Sequence, residues 1–199
     1  MYKTFPHLFV LLLAFLLTVP YDLTAKPFEI PRSEIVELED SKTKRVYPIY
    51  IKLPPSYHRM ANNRYPVIYI TDANYAFQII SGATRFPMNS GKMQQAILVG
   101  ISYSKDSRGD RSRIRDFTPV YAKSWKKTTG EAENHMRFIR EQVFNFIDNH
   151  YRTAPDKRIF VGNSLGGLFG AYIFLNQPDM FESYVLGSPS FWFNDGVIF

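Results

Sequence analysis

Arg158-Ile159-Phe160-Val161-Gly162-Asn163-Ser164-Leu165-Gly166-Gly167-Leu168-Phe169-Gly170 decides how this chain is read. Its first four residues form a short apolar run behind Pro155-Asp156, as in a strand buried in a parallel sheet. From Leu165 to Leu175 there is no proline, and Leu165, Leu168, Phe169, Tyr172 and Ile173 recur at helical spacing until Pro178. Between the two stands Gly162-x-Ser164-x-Gly166, the Gly-x-Ser-x-Gly form of a nucleophile elbow. Gly162 and Gly166 flank the serine where side chains would crowd a sharp turn. Ser164 is then raised at the positive end of a helix, with the Leu165 N–H pointing at a developing oxyanion. The blander reading is a helix N-cap serine in a glycine-rich turn.

Upstream, Glu34 to Leu38 and Arg45 to Leu53 read as a hairpin around Asp40-Ser41-Lys42-Thr43, closed by Pro54-Pro55. Val67 to Ile70, and Ala96 to Val99 with Ile101, read as central parallel strands. Tyr75 to Ile80 reads as a short helix, with Gly82 and Pro87 interrupting the residues after it. Ser102 to Lys127 is polar and rich in arginine, and reads as a long surface loop beside the active-site edge. Glu131 to Tyr151 reads as one amphipathic helix, its apolar face marked by Met136, Ile139, Val143, Phe146, Ile147 and His150. Tyr184-Val185-Leu186 begins another strand. The sum is an α/β fold: a mostly parallel sheet with helices on both faces.

The triad that accompanies such an elbow runs Ser, then Asp or Glu, then His. The four histidines, His7, His58, His135 and His150, all precede Ser164. Asp179, Glu182 and Asp195 come too soon after it for the triad acid, so none is assigned there. The strands that would carry the acid and the histidine are expected beyond Phe199, leaving the sheet without its C-terminal strands.

Lys3, the apolar run Leu8 to Leu17 and the small residue Ala25 form a secretory signal pattern, so residues 1–25 are read as a signal peptide and 26–199 as one domain. The expected location is the periplasm or the exterior; an uncleaved N-terminal anchor is the alternative. No later run is long enough to span a bilayer. The chain has no cysteine, which excludes disulfides and thiolate metal sites, and its histidines and acids show no metal-ligand spacing. A net charge of +6 is scattered and comes with no nucleic-acid motif, so it fits a solvated surface or an anionic substrate.

Several separated segments together resemble the esterase branch of the α/β-hydrolases that includes esterase D, the periplasmic siderophore esterases and the mycolyltransferases. Tyr65-Pro66-Val67-Ile68-Tyr69-Ile70-Thr71-Asp72-Ala73-Asn74 is similar to that family's strand ending in Asp-Gly-Asn, with Ala73 in place of glycine. Val99-Gly100-Ile101 and Arg115-Asp116-Phe117-Thr118-Pro119 match two further landmarks. Asn163 stands where most relatives carry histidine. Pro178-Asp179, Phe181 and Ser188-Pro189-Ser190-Phe191-Trp192 complete the set, and the resemblance runs from about Glu29 to Phe199.

The resemblance implies a serine esterase acting on a small-molecule ester through an acyl-enzyme, with no cofactor, metal or nucleic-acid partner. The secretion pattern and the Ser-Pro-Ser-x-Trp segment point to an anionic siderophore as substrate. Ser164 is the expected nucleophile, the Leu165 N–H one oxyanion donor, and an N–H of Ala73 or Asn74 the other. Arg113 and Arg115 would grip a carboxylate or catecholate oxygen, or else pair with nearby aspartates. Trp192 would stack on an aromatic acyl group, or else lie half-buried at the sheet edge. Without a base the chain itself is expected to be nearly inactive. A non-catalytic ligand-binding relative and an acyltransferase are the rival readings.

Overall fold

The computed structural model describes residues 25, 27–105 and 107–198. The signal-peptide reading falls outside the described residues, apart from Ala25. Six strands form one mixed sheet in the order β1-β2-β4-β3-β5-β6. The hairpin strands β1 (Ser33–Glu39) and β2 (Val46–Lys52) pair antiparallel, and β2 runs antiparallel to β4 (Ile97–Ile101). Strands β3 (Tyr65–Ile70), β4, β5 (Thr153–Asn163) and β6 (Ser183–Gly187) are parallel.

The hairpin turn is built by Asp40, whose carboxylate accepts hydrogen bonds from the Lys42 N–H (3.1 Å) and the Thr43 hydroxyl (2.6 Å). Arg137 donates to both oxygens of the same carboxylate, which ties the hairpin to a helix behind it. Burial opposes ionisation of Asp40, but these hydrogen bonds outweigh it and hold the carboxyl below its usual range. Every residue of β3 and β4 is buried, the pattern of strands covered on both faces.

Helix α1 (Ala73–Asn89) covers one face, packing Ala73, Phe77 and Met88 on Ile68, Ile70 and Leu98. It is far longer than the short helix expected from Tyr75 to Ile80. Pro87 falls in its last turn, where one lost hydrogen bond no longer stops the helix, and a side chain at Gly82 would meet open space. On the other face lie α2 (Gly109–Phe117), α3 (Ala132–Phe138) leading through a π-helical turn (Ile139–Val143) into α4 (Phe144–His150), and α5 (Leu165–Asn176). Met136, Ile139, Val143 and Ile147 are buried as expected, whereas Phe146 and His150 stack on each other nearer the surface, ring centroids 4.1 Å apart. Tyr69, Phe144, Phe160, Phe169 and Phe181 form the aromatic centre of this side. Burying each such side chain is worth about 1.5–3 kcal/mol.

The stretch read as a surface loop contains α2, whose inner side buries Ser112, Arg115, Asp116 and Phe117. Hydrophobic periodicity misses it because charged groups that satisfy one another fill most of that side. Among the described residues no helix is long and apolar enough to cross a membrane.

Candidate active site

Strand β5 ends at Asn163 and α5 begins at Leu165, so Ser164 alone makes the corner. Its backbone sits at φ 57°, ψ −117°, a region that costs an L-residue roughly 1–3 kcal/mol. Three backbone hydrogen bonds hold it there. The Ser164 N–H donates to the Gly187 carbonyl (2.8 Å), and the Ser164 carbonyl accepts from the N–H groups of Leu168 (2.9 Å) and Ser190 (3.1 Å). The flanking glycines are required by close approach. A Cβ at Gly162 would lie 2.3 Å from the Gly166 carbonyl oxygen, and one at Gly166 would lie 2.4 Å from Thr71 Oγ1. The second contact shows where the elbow sits: its helix starts against the loop that leaves β3.

That loop turns at Asp72, itself in the left-handed region at φ 57°, and feeds directly into α1. Ala73 and Asn74 therefore open the first turn of one helix, and Leu165 opens another beside it. Helix N-termini present N–H groups without intrahelical acceptors, so two positive ends meet at the elbow. This is the arrangement an oxyanion hole needs: the N–H after the nucleophile and one from the loop after β3. The Asn74 side chain is anchored through its Oδ1, which accepts the Ser102 hydroxyl at 2.5 Å.

Arg113, from α2, spans the two loops. Its Nε donates to Asp72 Oδ1 (2.8 Å) and its guanidinium reaches the Asn163 carbonyl (3.1 Å). The same carboxylate accepts the Tyr103 hydroxyl (2.8 Å) and the Tyr75 hydroxyl (3.2 Å). Of the two roles expected for Arg113, the structure places it in an ion pair. Arg115 is turned inward at 8% exposure, donating to Asp116, Ser104 and Tyr47. Its guanidinium braces α2 against β2, so of the two roles expected for Arg115 the structure shows the pairing with an aspartate.

Trp192 is 67% exposed and lies nearly parallel to Trp125, centroids 6.2 Å apart, while Trp125 packs edge-on against Phe193. The exposed indole corrects the expectation of a half-buried edge aromatic. Trp125 was not singled out from the sequence; its one signal is a large aromatic within a polar stretch. A cleft of about 140 Å³ opens at the C-terminal ends of β3, β5 and β6, bordered by Asp72, Tyr75, Asn163 and Gly187.

The Ser164 hydroxyl shares a 3.1 Å hydrogen bond with the hydroxyl of buried Ser190. Ser190 belongs to the Ser-Pro-Ser-x-Trp segment, so the sequence marked the segment without marking the contact. Among the described residues no histidine or carboxylate bonds to Ser164 Oγ. His58 packs edge-on against Tyr57, His135 is enclosed by aromatic rings, and His150 bonds the Phe146 carbonyl. His7 lies outside the described residues. Nor do the described residues contain a group of three or more His, Asp or Glu able to hold a metal ion.

The family model Esterase, described as "Putative esterase", matches residues 41–195. The chain is 34% identical to the ferri-bacillibactin esterase BesA of Bacillus subtilis over 88% of its own length and 64% of that protein's. It is 28% identical to the siderophore triacetylfusarinine C esterase of Aspergillus fumigatus, over 84% of this chain and 59% of that one. It thus spans about three fifths of the length of these relatives. Among solved structures, the BES protein from Bacillus cereus superposes with a TM-score of 0.76 at 28% identity, covering 87% of this chain and 67% of that one. The siderophore hydrolase EstB from Aspergillus nidulans gives 0.76 at 26%, covering 87% and 63%.

Proposed function

The chain belongs to the Esterase family, and from that premise we propose that Ser164 is the nucleophile of a serine esterase whose substrates are siderophore esters. The observation that carries the reading is the strained backbone of Ser164 at a strand-to-helix corner, between two helix N-termini. The relatives named for ferri-bacillibactin and triacetylfusarinine C support the substrate class.

In this reading Ser164 Oγ attacks the ester carbonyl carbon, and the carbonyl oxygen takes the negative charge between the Leu165 N–H and an N–H of Ala73 or Asn74. Collapse breaks the C–O bond to the alcohol, which leaves with a proton, and the acyl group stays on Ser164. Water then adds to the acyl-serine and releases the acid. Both halves need a base near Ser164 Oγ, and its described partner Ser190 is a hydroxyl, far too weak a base for that task. With Ser190 as its described partner, Ser164 is expected to turn over esters slowly until a base is supplied. The N-terminal pattern of Lys3, Leu8 to Leu17 and Ala25 supports a place outside the cytoplasm for this chemistry.

The test is release of p-nitrophenol from p-nitrophenyl acetate by the chain, with and without added imidazole, alongside a catecholate trilactone substrate. The expected result is slow turnover that imidazole accelerates and Ser164→Ala abolishes. Equal rates for Ser164→Ala would remove Ser164 from the mechanism. Rapid turnover without imidazole would show that a base is already in place.

A further inference from the structure

Three cations converge on one cleft without an acidic partner among the described residues. Lys52, at the end of β2, lies opposite Leu98 near the start of β4. Ser164 instead adjoins the C-terminal end of parallel β5, so cleft and elbow occupy opposite ends of the sheet. Arg32, Lys52 and Arg85 line two adjoining hollows, the larger about 280 Å³. Phe28, Ile30 and Pro31 wall one hollow, and Leu53, Pro54 and Met88 the other.

Two of the three groups, Lys52 and Arg32, are held by hydrogen bonds. Lys52 Nζ donates to the carbonyl (3.3 Å) and hydroxyl of Ser81. Burial first, then the fields of Arg32 and Arg85, press the Lys52 ammonium below its usual range. Arg32 sits at φ 61°, the left-handed region that L-residues other than Asn and Asp seldom occupy. It is fixed there by Leu53, whose N–H donates to the Arg32 carbonyl (2.9 Å) and whose carbonyl accepts from Arg32 Nε (3.2 Å). Its terminal guanidinium nitrogens, like the whole Arg85 guanidinium, bond no group among the described residues. Three cations brought together without an acidic partner among the described residues repel one another, as the depressed Lys52 ammonium shows, and an anion between them offsets that repulsion.

We propose that this cleft is an anion-binding site for a small phosphate ester, its phosphate held by Arg32, Lys52 and Arg85 and its apolar body against the adjoining walls. Two guanidinium forks and one ammonium match the several oxygens of a phosphate dianion. The apolar walls distinguish an ester with a hydrocarbon or aromatic body from inorganic phosphate. The site does not depend on Ser164.

The experiment is calorimetric titration of the 199-residue chain with phenyl phosphate and with inorganic phosphate at fixed ionic strength, and flotation with vesicles of phosphatidylcholine containing phosphatidic acid. Phenyl phosphate should bind at least fivefold more tightly than inorganic phosphate. Arg85→Gln, at an exposed position, should weaken it at least tenfold, and Ser164→Ala should leave it unchanged. Arg32→Gly should weaken binding while raising the melting temperature, since glycine relieves the backbone strain. Undiminished binding in both Arg85→Gln and Arg32→Gly would overturn the proposal, as would equal affinity for the two phosphates. Vesicle binding without phenyl phosphate binding would replace the small ligand with a membrane surface.

Discussion

Arg113 Nε lies 2.8 Å from Asp72 Oδ1, and the same guanidinium reaches the carbonyl of Asn163, the residue before Ser164. One side chain thus fixes the loop after β3 and the elbow relative to each other. The Asp72 side chain is only 2% exposed, so removing its partner leaves a buried carboxylate with two tyrosine hydroxyls. Arg113→Ala is expected to cost about 2–3 kcal/mol of stability, somewhat under the figure for a fully buried pair because Arg113 keeps some solvent contact. It should also lower imidazole-assisted kcat about 100-fold with little change in KM, the signature of a displaced oxyanion donor. Arg113→Lys should recover little, because an ammonium does not reproduce the fork that spans both acceptors. A KM effect alone would assign Arg113 to substrate contact.

Ser164→Gly and Ser164→Ala separate chemistry from strain. Both remove the hydroxyl and its bond to Ser190, and both should abolish the serine-dependent rate. Only glycine also accepts φ 57°, ψ −117° freely. Chemical denaturation should therefore find Ser164→Gly more stable than Ser164→Ala by about 1–2 kcal/mol. Equal stabilities would mean that the corner is not strained in solution.

The elbow was legible because it is local: a strand, a serine between two glycines and a helix occupy adjacent positions, and each leaves its own period in the sequence. Strands β3 and β4 were legible for a related reason, since burial on both faces demands an unbroken apolar run. Helix α2 was not, because Ser112, Arg115 and Asp116 fill its inner side with polar groups that satisfy one another, and such a helix has no apolar stripe. The clamp from Arg113 to Asp72 and Asn163 joins three segments, and only tertiary structure says which aspartate an arginine meets. Ser190 and Trp125 were hidden in the same way: their importance lies wholly in what they touch.

Trp125 and Trp192 are the only tryptophans of the chain, so its tryptophan fluorescence reports this one pair, exposed Trp192 on half-buried Trp125, near the elbow. An aromatic acyl group entering the site should quench that emission, and 2,3-dihydroxybenzoate is a suitable probe. Trp192→Ala should raise KM for an aromatic ester about 2-fold to 10-fold, the worth of one aromatic contact, and leave kcat and the KM for an acetyl ester unchanged. Quenching that persists in Ser164→Ala but vanishes in Trp192→Ala would locate the ligand on the indole. Emission indifferent to the probe would leave Trp192 without a substrate role.

His135 gives the fold a pH limit. It is 3% exposed, surrounded by Tyr47, Phe117, Phe138 and Phe169, and neither ring nitrogen has a hydrogen-bond partner among the described residues. Burial pulls the imidazole below its ordinary pKa of 6.5, so the folded chain keeps it neutral. The unfolded chain takes up a proton as pH falls through 6.5, while the folded chain does so only at lower pH, and proton uptake by the unfolded state favours unfolding. The neutral ring's contribution is fully present above about pH 6.5 and declines below it, by up to about 1.4 kcal/mol per pH unit until the folded pKa is reached. His135→Phe keeps a ring of similar shape among aromatic neighbours and removes the titration, so it should lose less stability than the parent between about pH 7.5 and about pH 5. Urea midpoints at the two pH values measure this, and the difference between parent and variant isolates the contribution of His135. Parallel losses in parent and variant would show that the aromatic enclosure admits the charged ring.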